Sequence, residues 1–214
     1  RENGEAVARR ERYLAANEAL RSMCQHEGRP LSEARIFTAH TADDRIENFY
    51  MRSIVGTGPG GFRSMLYRNG PVVRPLLDIT RDELHDYLSA REAAGETVVR
   101  DESGALWRED ATNAHTDRFR AYVRHKIVPV AKEWNSALPE VLTRSMNLIA
   151  DEDDMLQNMA EKLAEESTEW VAEDDTFGID RSEGFRLLPA FGKAERPLQR
   201  RAVLRLLEAM VESR

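Results

Sequence analysis

Ala39-His40-Thr41-Ala42-Asp43-Asp44-Arg45-Ile46-Glu47-Asn48, followed after a short apolar stretch by Gly56-Thr57-Gly58-Pro59-Gly60-Gly61, decides how this chain is read. A histidine and three carboxylates crowd the start of a predicted helix, and a glycine-rich turn closes it. A strand end feeding a polar helix N-terminus is a natural place to hold phosphates and a magnesium ion. Glycines let backbone amides approach a ligand closely.

On both sides of this stretch strand and helix patterns alternate. Residues 5–26 read as a helix, with small and apolar residues from Ala6 to Met23 among Arg and Glu; Gly28-Arg29-Pro30 ends it. Residues 34–39 read as a short strand, rich in β-formers. The next helix is predicted over 42–54, with Ile46, Phe49, Tyr50 and Ile54 at helical spacing. Val72-Val73 starts a second strand, ended by Arg74-Pro75. Thr80-Arg81-Asp82-Glu83 has the form of a capping box and opens a helix to about residue 94. Residues 96–99 are a third strand candidate. The alternation implies an α/β layer with parallel strands. Beyond residue 114 the pattern is helical, over 116–134, 138–168, 182–188 and 194–212. A domain boundary is placed near Pro129 and Asn135, giving residues 1–134 and 135–214.

Composition narrows the classes. The chain has 214 residues and a net charge of −7, with 41% hydrophobic residues. No apolar run approaches the ~18 residues of a membrane span. A lone cysteine, Cys24, excludes an internal disulfide and any cysteine-cluster metal site, so a cytosolic protein is expected. Charge is uneven. Residues 151–175 hold eleven Asp or Glu and one Lys, whereas 117–132 and 193–205 each hold five Arg or Lys and one acid. Either basic stretch can meet phosphates, or form a solvated helix face.

Each motif has a chemical reading and a plainer one. Asp44 and Glu47 share a helix face with Asp43 beside them, and could coordinate Mg²⁺; acidic residues there also simply cap helices. His40 can donate to a phosphate oxygen or be structural. The glycine turn carrying Gly56 and Gly58 is neither a Walker loop nor a dinucleotide fingerprint, and also fits a helix-ending turn. Arg74, at a strand end before proline, is expected at the carboxyl edge of the sheet, where ligands bind, or is a surface arginine. Asp110-Ala111-Thr112-Asn113 looks like a turn or cap. Arg120 and Arg124, four apart, suit phosphate or RNA backbone, or salt bridges on a surface helix.

Taken in order, these motifs resemble one family. Glu5-x-x-Ala8-Arg9-x-x-Arg12-Tyr13, the His-x-x-Asp-Asp-x-x-Glu segment, Gly-x-Gly-Pro-x-Gly, Arg74-Pro75-Leu76-Leu77, and Asp-x-Thr-Asn followed by Arg-x-x-x-Arg and Val128-Pro129 are similar to the bacterial tRNA(Ile)-lysidine synthetases, a group of PP-loop ATPases. The resemblance covers about residues 5–150. It implies a partial adenine-nucleotide α-hydrolase-like parallel sheet followed by a helical linker domain. It also implies ATP and Mg²⁺, with L-lysine and tRNA(Ile) as the other substrates. The implied reaction adenylates C2 of the wobble cytidine, and the lysine amine then displaces AMP.

Carried over, the resemblance makes Asp43, Asp44, Glu47 and Arg120 catalytic, with Asp44 also at the metal. It gives His40, Gly56, Gly58 and Arg74 to the nucleotide, and Asp110, Asn113 and Arg124 to substrate. Arg45, Asn48, Val55 and Ala121 depart from the family pattern. Residues 101–109 look like an insertion, and Asp101-Glu102-Ser103 competes with Asp110 for the alignment. The family's Ser-Gly-Gly-x-Asp-Ser loop does not occur in the sequence, so the chain is expected to be a fragment, inactive alone, with its open sheet edge available for dimerisation. The alternatives are another PP-loop tRNA-modifying or amide-forming ATPase, or a non-enzymatic RNA-binding helical module.

Overall fold

The computed structural model describes residues 4–108, 118–170 and 184–212. It divides into two compact units, Arg1–Met146 and Asn147–Arg214. Among the described residues, no helix is long and apolar enough to cross a membrane.

The first unit opens with α1 (Gly4–Glu27), followed by β1 (Ile36–Phe37) and α2 (Ala42–Val55). A 3₁₀ turn (Pro59–Arg63) leads into β2 (Arg68–Asn69) and β3 (Val72–Val73). Then come α3 (Arg81–Ala93), α4 (Phe119–Tyr122), a π-helical turn (Val123–Ile127) and α5 (Val128–Trp134). The sheet order is β1-β3-β2. β1 pairs in parallel with β3, Ile36 opposite Val72, as the alternation of elements implies. β2 runs antiparallel to β3, so the sheet is mixed. Residues 96–99 form no strand: the Glu96 amide bonds back to the Arg91 carbonyl, and Val99 stands exposed. They are β-formers without a neighbouring strand to pair with.

After β3 the chain turns back under α2. The Ala42 amide donates to the Ile79 carbonyl at 2.9 Å, which brings the start of α3 to the start of α2. The expected capping box is present: the Glu83 carboxylate accepts from the Thr80 amide at 2.7 Å, and the Glu83 amide donates to Thr80 Oγ1 at 3.2 Å. Replacing Thr80 by alanine is expected to cost about 1 kcal/mol, read as a lower urea midpoint. An unchanged midpoint would show that Glu83 alone suffices. Helix α3 also carries the loop after it, through His85 stacked on Trp107 at 3.9 Å.

The core behind the acidic stretch is Ile46, Val123 and Val128, with Tyr50, Met51, Ile127 and Leu142 packed around them. It joins α2 to the helix bearing Arg120 and Arg124. The π turn has a local cause. Pro129 lacks an N–H and its ring clashes with the carbonyl four residues earlier, so the ladder widens just before it.

The division between units falls within α6 (Leu138–Glu166). In the second unit the rest of α6 and α7 (Arg196–Glu212) enclose Ala160, Ala164, Phe191, Ala202 and Leu206. A two-stranded antiparallel sheet pairs β4 (Thr168–Trp170) with β5 (Phe185–Leu187). The helix expected over 182–188 is therefore a strand where it is described, because Phe185, Arg186 and Leu187 lie opposite Trp170, Glu169 and Thr168. Arg201 and Arg205 of the second basic stretch pair with Asp153 and Glu161 of the acidic one.

Candidate functional site

Side chains from α2, α3, α4 and the π turn converge on two carboxylates. Glu47 is 2% exposed. Its Oε2 accepts from Arg120 Nε at 2.8 Å, and Oε1 from Arg124 Nε at 2.6 Å. Arg124 Nη2 adds a bond to Oε2 at 3.1 Å, and Arg81 Nη2 one to Oε1 at 3.1 Å. Asp44 Oδ1 accepts from Arg120 Nη2 at 2.9 Å and from Arg81 Nη2 at 3.2 Å. Its other oxygen takes the Thr41 amide at 2.9 Å, so Asp44 caps its helix and pairs with arginines at once. Asp43 accepts from the Arg81 amide at 2.8 Å and lies 3.5 Å from Lys132 Nζ.

Three carboxylates thus meet four cations. Burial pushes the Glu47 carboxyl up, but hydrogen bonds and charge from Arg124 and Arg120 carry it below its ordinary value. Burial works against the Arg81 charge, and Glu47 and Asp44 more than offset it, so its proton is held more tightly.

Every oxygen of Asp44 and Glu47 already accepts a hydrogen bond. A hard divalent cation needs several free oxygen ligands, and among the described residues no group of His, Cys, Asp and Glu could hold a metal. The side chains as placed do not fit Mg²⁺ on Asp44; they form an ion-pair cage.

His40, between β1 and α2, lies 3.0 Å by Nδ1 from Thr38 Oγ1. Burial lowers its pKa; Asp44 opposes this, and Arg74, Arg9 and Arg120 reinforce it. His40 is therefore a neutral hydrogen-bonding group at pH 7. Gly56 caps α2 at φ +94°, a conformation that favours glycine. Gly58 has an ordinary φ of −70° and open space around it, so the backbone itself sets no requirement for glycine there. At Gly61 a Cβ would strike Thr57 Oγ1 at 1.7 Å. Arg74 follows β3, buried, and donates through Nη1 to the Leu66 carbonyl at 2.9 Å. Asp110 and Asn113 lie outside the described residues.

The sequence reading missed Arg81 and Lys132. The only signal for Arg81 is its place in the first turn of α3, which by itself reads as solvent-facing. Two of the family departures also find a structural place. Arg45 is 1% exposed, points away from the cage and donates to Tyr67 Oη at 3.1 Å, with Asp78 beside it. Asn48 donates to Ser64 Oγ, and that hydroxyl donates to the Arg45 carbonyl, each at 3.0 Å. These bonds hold Ser64 at φ +61° and fasten the glycine turn to α2. With Arg120, Arg124, Lys132, Arg201 and Arg205 paired to acids, neither basic stretch is an uncommitted RNA-binding face.

A family model described as a PP-loop domain matches residues 1–131. Over 210 residues the chain is 33% identical to a tRNA(Ile)-lysidine synthase of Thermus thermophilus, covering 98% of this chain and 35% of that protein. It is 39% identical over 111 residues to one from Porphyromonas gingivalis, covering 51% of this chain and 22% of the relative. It is 31% identical over 161 residues to one from Coxiella burnetii, covering 73% and 31%. The chain spans about a third or less of the length of these relatives.

Proposed function

Because the chain belongs to the PP-loop domain family, we propose that it is part of a tRNA(Ile)-lysidine synthase, which spends ATP to join L-lysine to C2 of the wobble cytidine of tRNA(Ile). The observation that supports this most is the similarity to the Thermus thermophilus relative along 98% of the chain. In this reading residues 1–134 belong to the PP-loop α/β domain and 135–214 form a helical linker domain.

The reaction asks for two displacements. The cytidine O2 attacks the α-phosphorus of ATP and pyrophosphate leaves. The lysine ε-amine, which must be neutral to attack, then forms the C2–N bond and AMP leaves with O2. The nucleotide takes His40, Gly56, Gly58 and Arg74, with His40 offering a neutral ring to a phosphate oxygen. Arg120 and Arg124 steady phosphate or tRNA, held at fixed positions by Glu47 and Asp44. Asp43, Asp44 and Glu47 order the site, and their carboxylates can exchange an arginine for the lysine ammonium. Asp110 and Asn113 contact substrate. No step is routed through Mg²⁺.

The test is ATP-dependent lysine incorporation into tRNA(Ile) by the intact protein, with the modified nucleoside identified by mass spectrometry. Lysidine is the expected product, and Asp44→Ala is expected to slow its formation on the order of 100-fold through lost positioning. A near-normal rate in that variant would remove Asp44 from the mechanism. A different modified nucleoside would refute the substrate assignment.

A further inference from the structure

A pocket of about 550 Å³ lies beside the cage, and its charged lining is Arg9, Arg52, Arg63, Arg74 and Arg120, with no Asp or Glu. Arg74 is its floor. That side chain is 7% exposed, yet its guanidinium makes one hydrogen bond, to the Leu66 carbonyl, and its Nε has no acceptor. Among the described residues, no carboxylate pairs with it. A buried guanidinium is costly to leave unpaired, so the geometry calls for an anion from outside the chain. The same lining rejects a cationic amino acid.

The rim extends this charge outward. Arg9 on α1 and Arg52 on the last turn of α2 are both exposed. Asn48 and Ser64 of the pocket wall supply neutral hydrogen-bonding groups. None of Arg9, Arg52 and Arg63 is used by the proposed nucleotide site. Arginines on separate helices around an open pocket suit the spaced phosphates of a single strand, held by bidentate hydrogen bonds.

We propose that this pocket seats a backbone phosphate of the RNA substrate, with Arg74 as its floor and Arg9 and Arg52 as its rim. The proposal rests on the reading of the protein as a tRNA-modifying enzyme and adds where the strand is gripped.

The experiment compares the intact protein with its Arg9→Glu/Arg52→Glu variant, both checked for folding by circular dichroism. It measures binding of a tRNA(Ile) anticodon stem-loop across a salt series and, separately, binding of ATP. The variant is expected to bind the RNA about tenfold or more weakly. Its plot of log affinity against log salt should be shallower by about 0.7 for each phosphate the protein no longer neutralises, while ATP affinity holds. Unchanged RNA affinity and slope would overturn the proposal, as would a loss confined to ATP. Failure of the enzyme reading shows differently: the wild type would bind RNA through these arginines and form no lysidine.

Discussion

Glu47→Gln is expected to destabilise the first unit by about 3–5 kcal/mol, the range for breaking a buried ion pair from one side. The amide keeps the shape but loses the charge. Arg81, Arg120 and Arg124, which now share Glu47, would be left around Asp44 alone. Urea unfolding followed by hydrogen exchange at α2 and α4 measures the effect within that unit. A loss under about 1 kcal/mol would mean that solvent screens the cage like a surface pair. The same residue sets an acid limit. The Glu47 carboxyl lies below its ordinary value in the fold, so the unfolded chain takes up this proton first as pH falls. The stabilisation is complete above about pH 4.5 and declines as pH drops through the lowered native value. Glu47→Gln should flatten that acid limb; an unaltered limb would place the acid sensitivity elsewhere.

Ile46→Ala is expected to cost about 2–5 kcal/mol. Ile46 is 0% exposed and packs on Val123 and Val128, so truncation leaves a cavity between α2 and the helix facing it. Val123 stands between Arg120 and Arg124, so slack there also loosens the arginines. The double variant Ile46→Ala/Glu47→Gln should therefore depart from additivity by about 0.5 kcal/mol or more in a urea titration. Additive losses would show that core and cage act independently.

The sequence made the local elements legible and the distant pairings opaque. Helices α1, α2 and α3 begin and end within about two residues of their predicted bounds, because caps and periodicity are local signals. β1 and β3 were readable from their β-formers. β2 is Arg68-Asn69, whose strand character exists only through its pairing with β3. Phe185-Arg186-Leu187 is a short apolar run whose periodicity suits helix or strand, and the partner that decides it lies on β4. The acidic stretch and the Arg120/Arg124 pair were each visible. What spacing could not give is that they face each other, 73 to 77 residues apart, with Arg81 between them. Arg45 looked like a defect in a motif, but its Tyr67 and Asp78 partners are 22 and 33 residues away.

The π turn at Val123–Ile127 carries a consequence for lineage and engineering. A π turn amounts to one residue added to an α-helix without lengthening its hydrogen-bonded frame. Each residue of an α-helix advances the side-chain direction by about 100°. Deleting one residue here, once Pro129 is replaced, would regularise the helix and rephase everything after it relative to Arg120. Two chains that share both arginines but differ by one residue in this turn would therefore present different faces to α2.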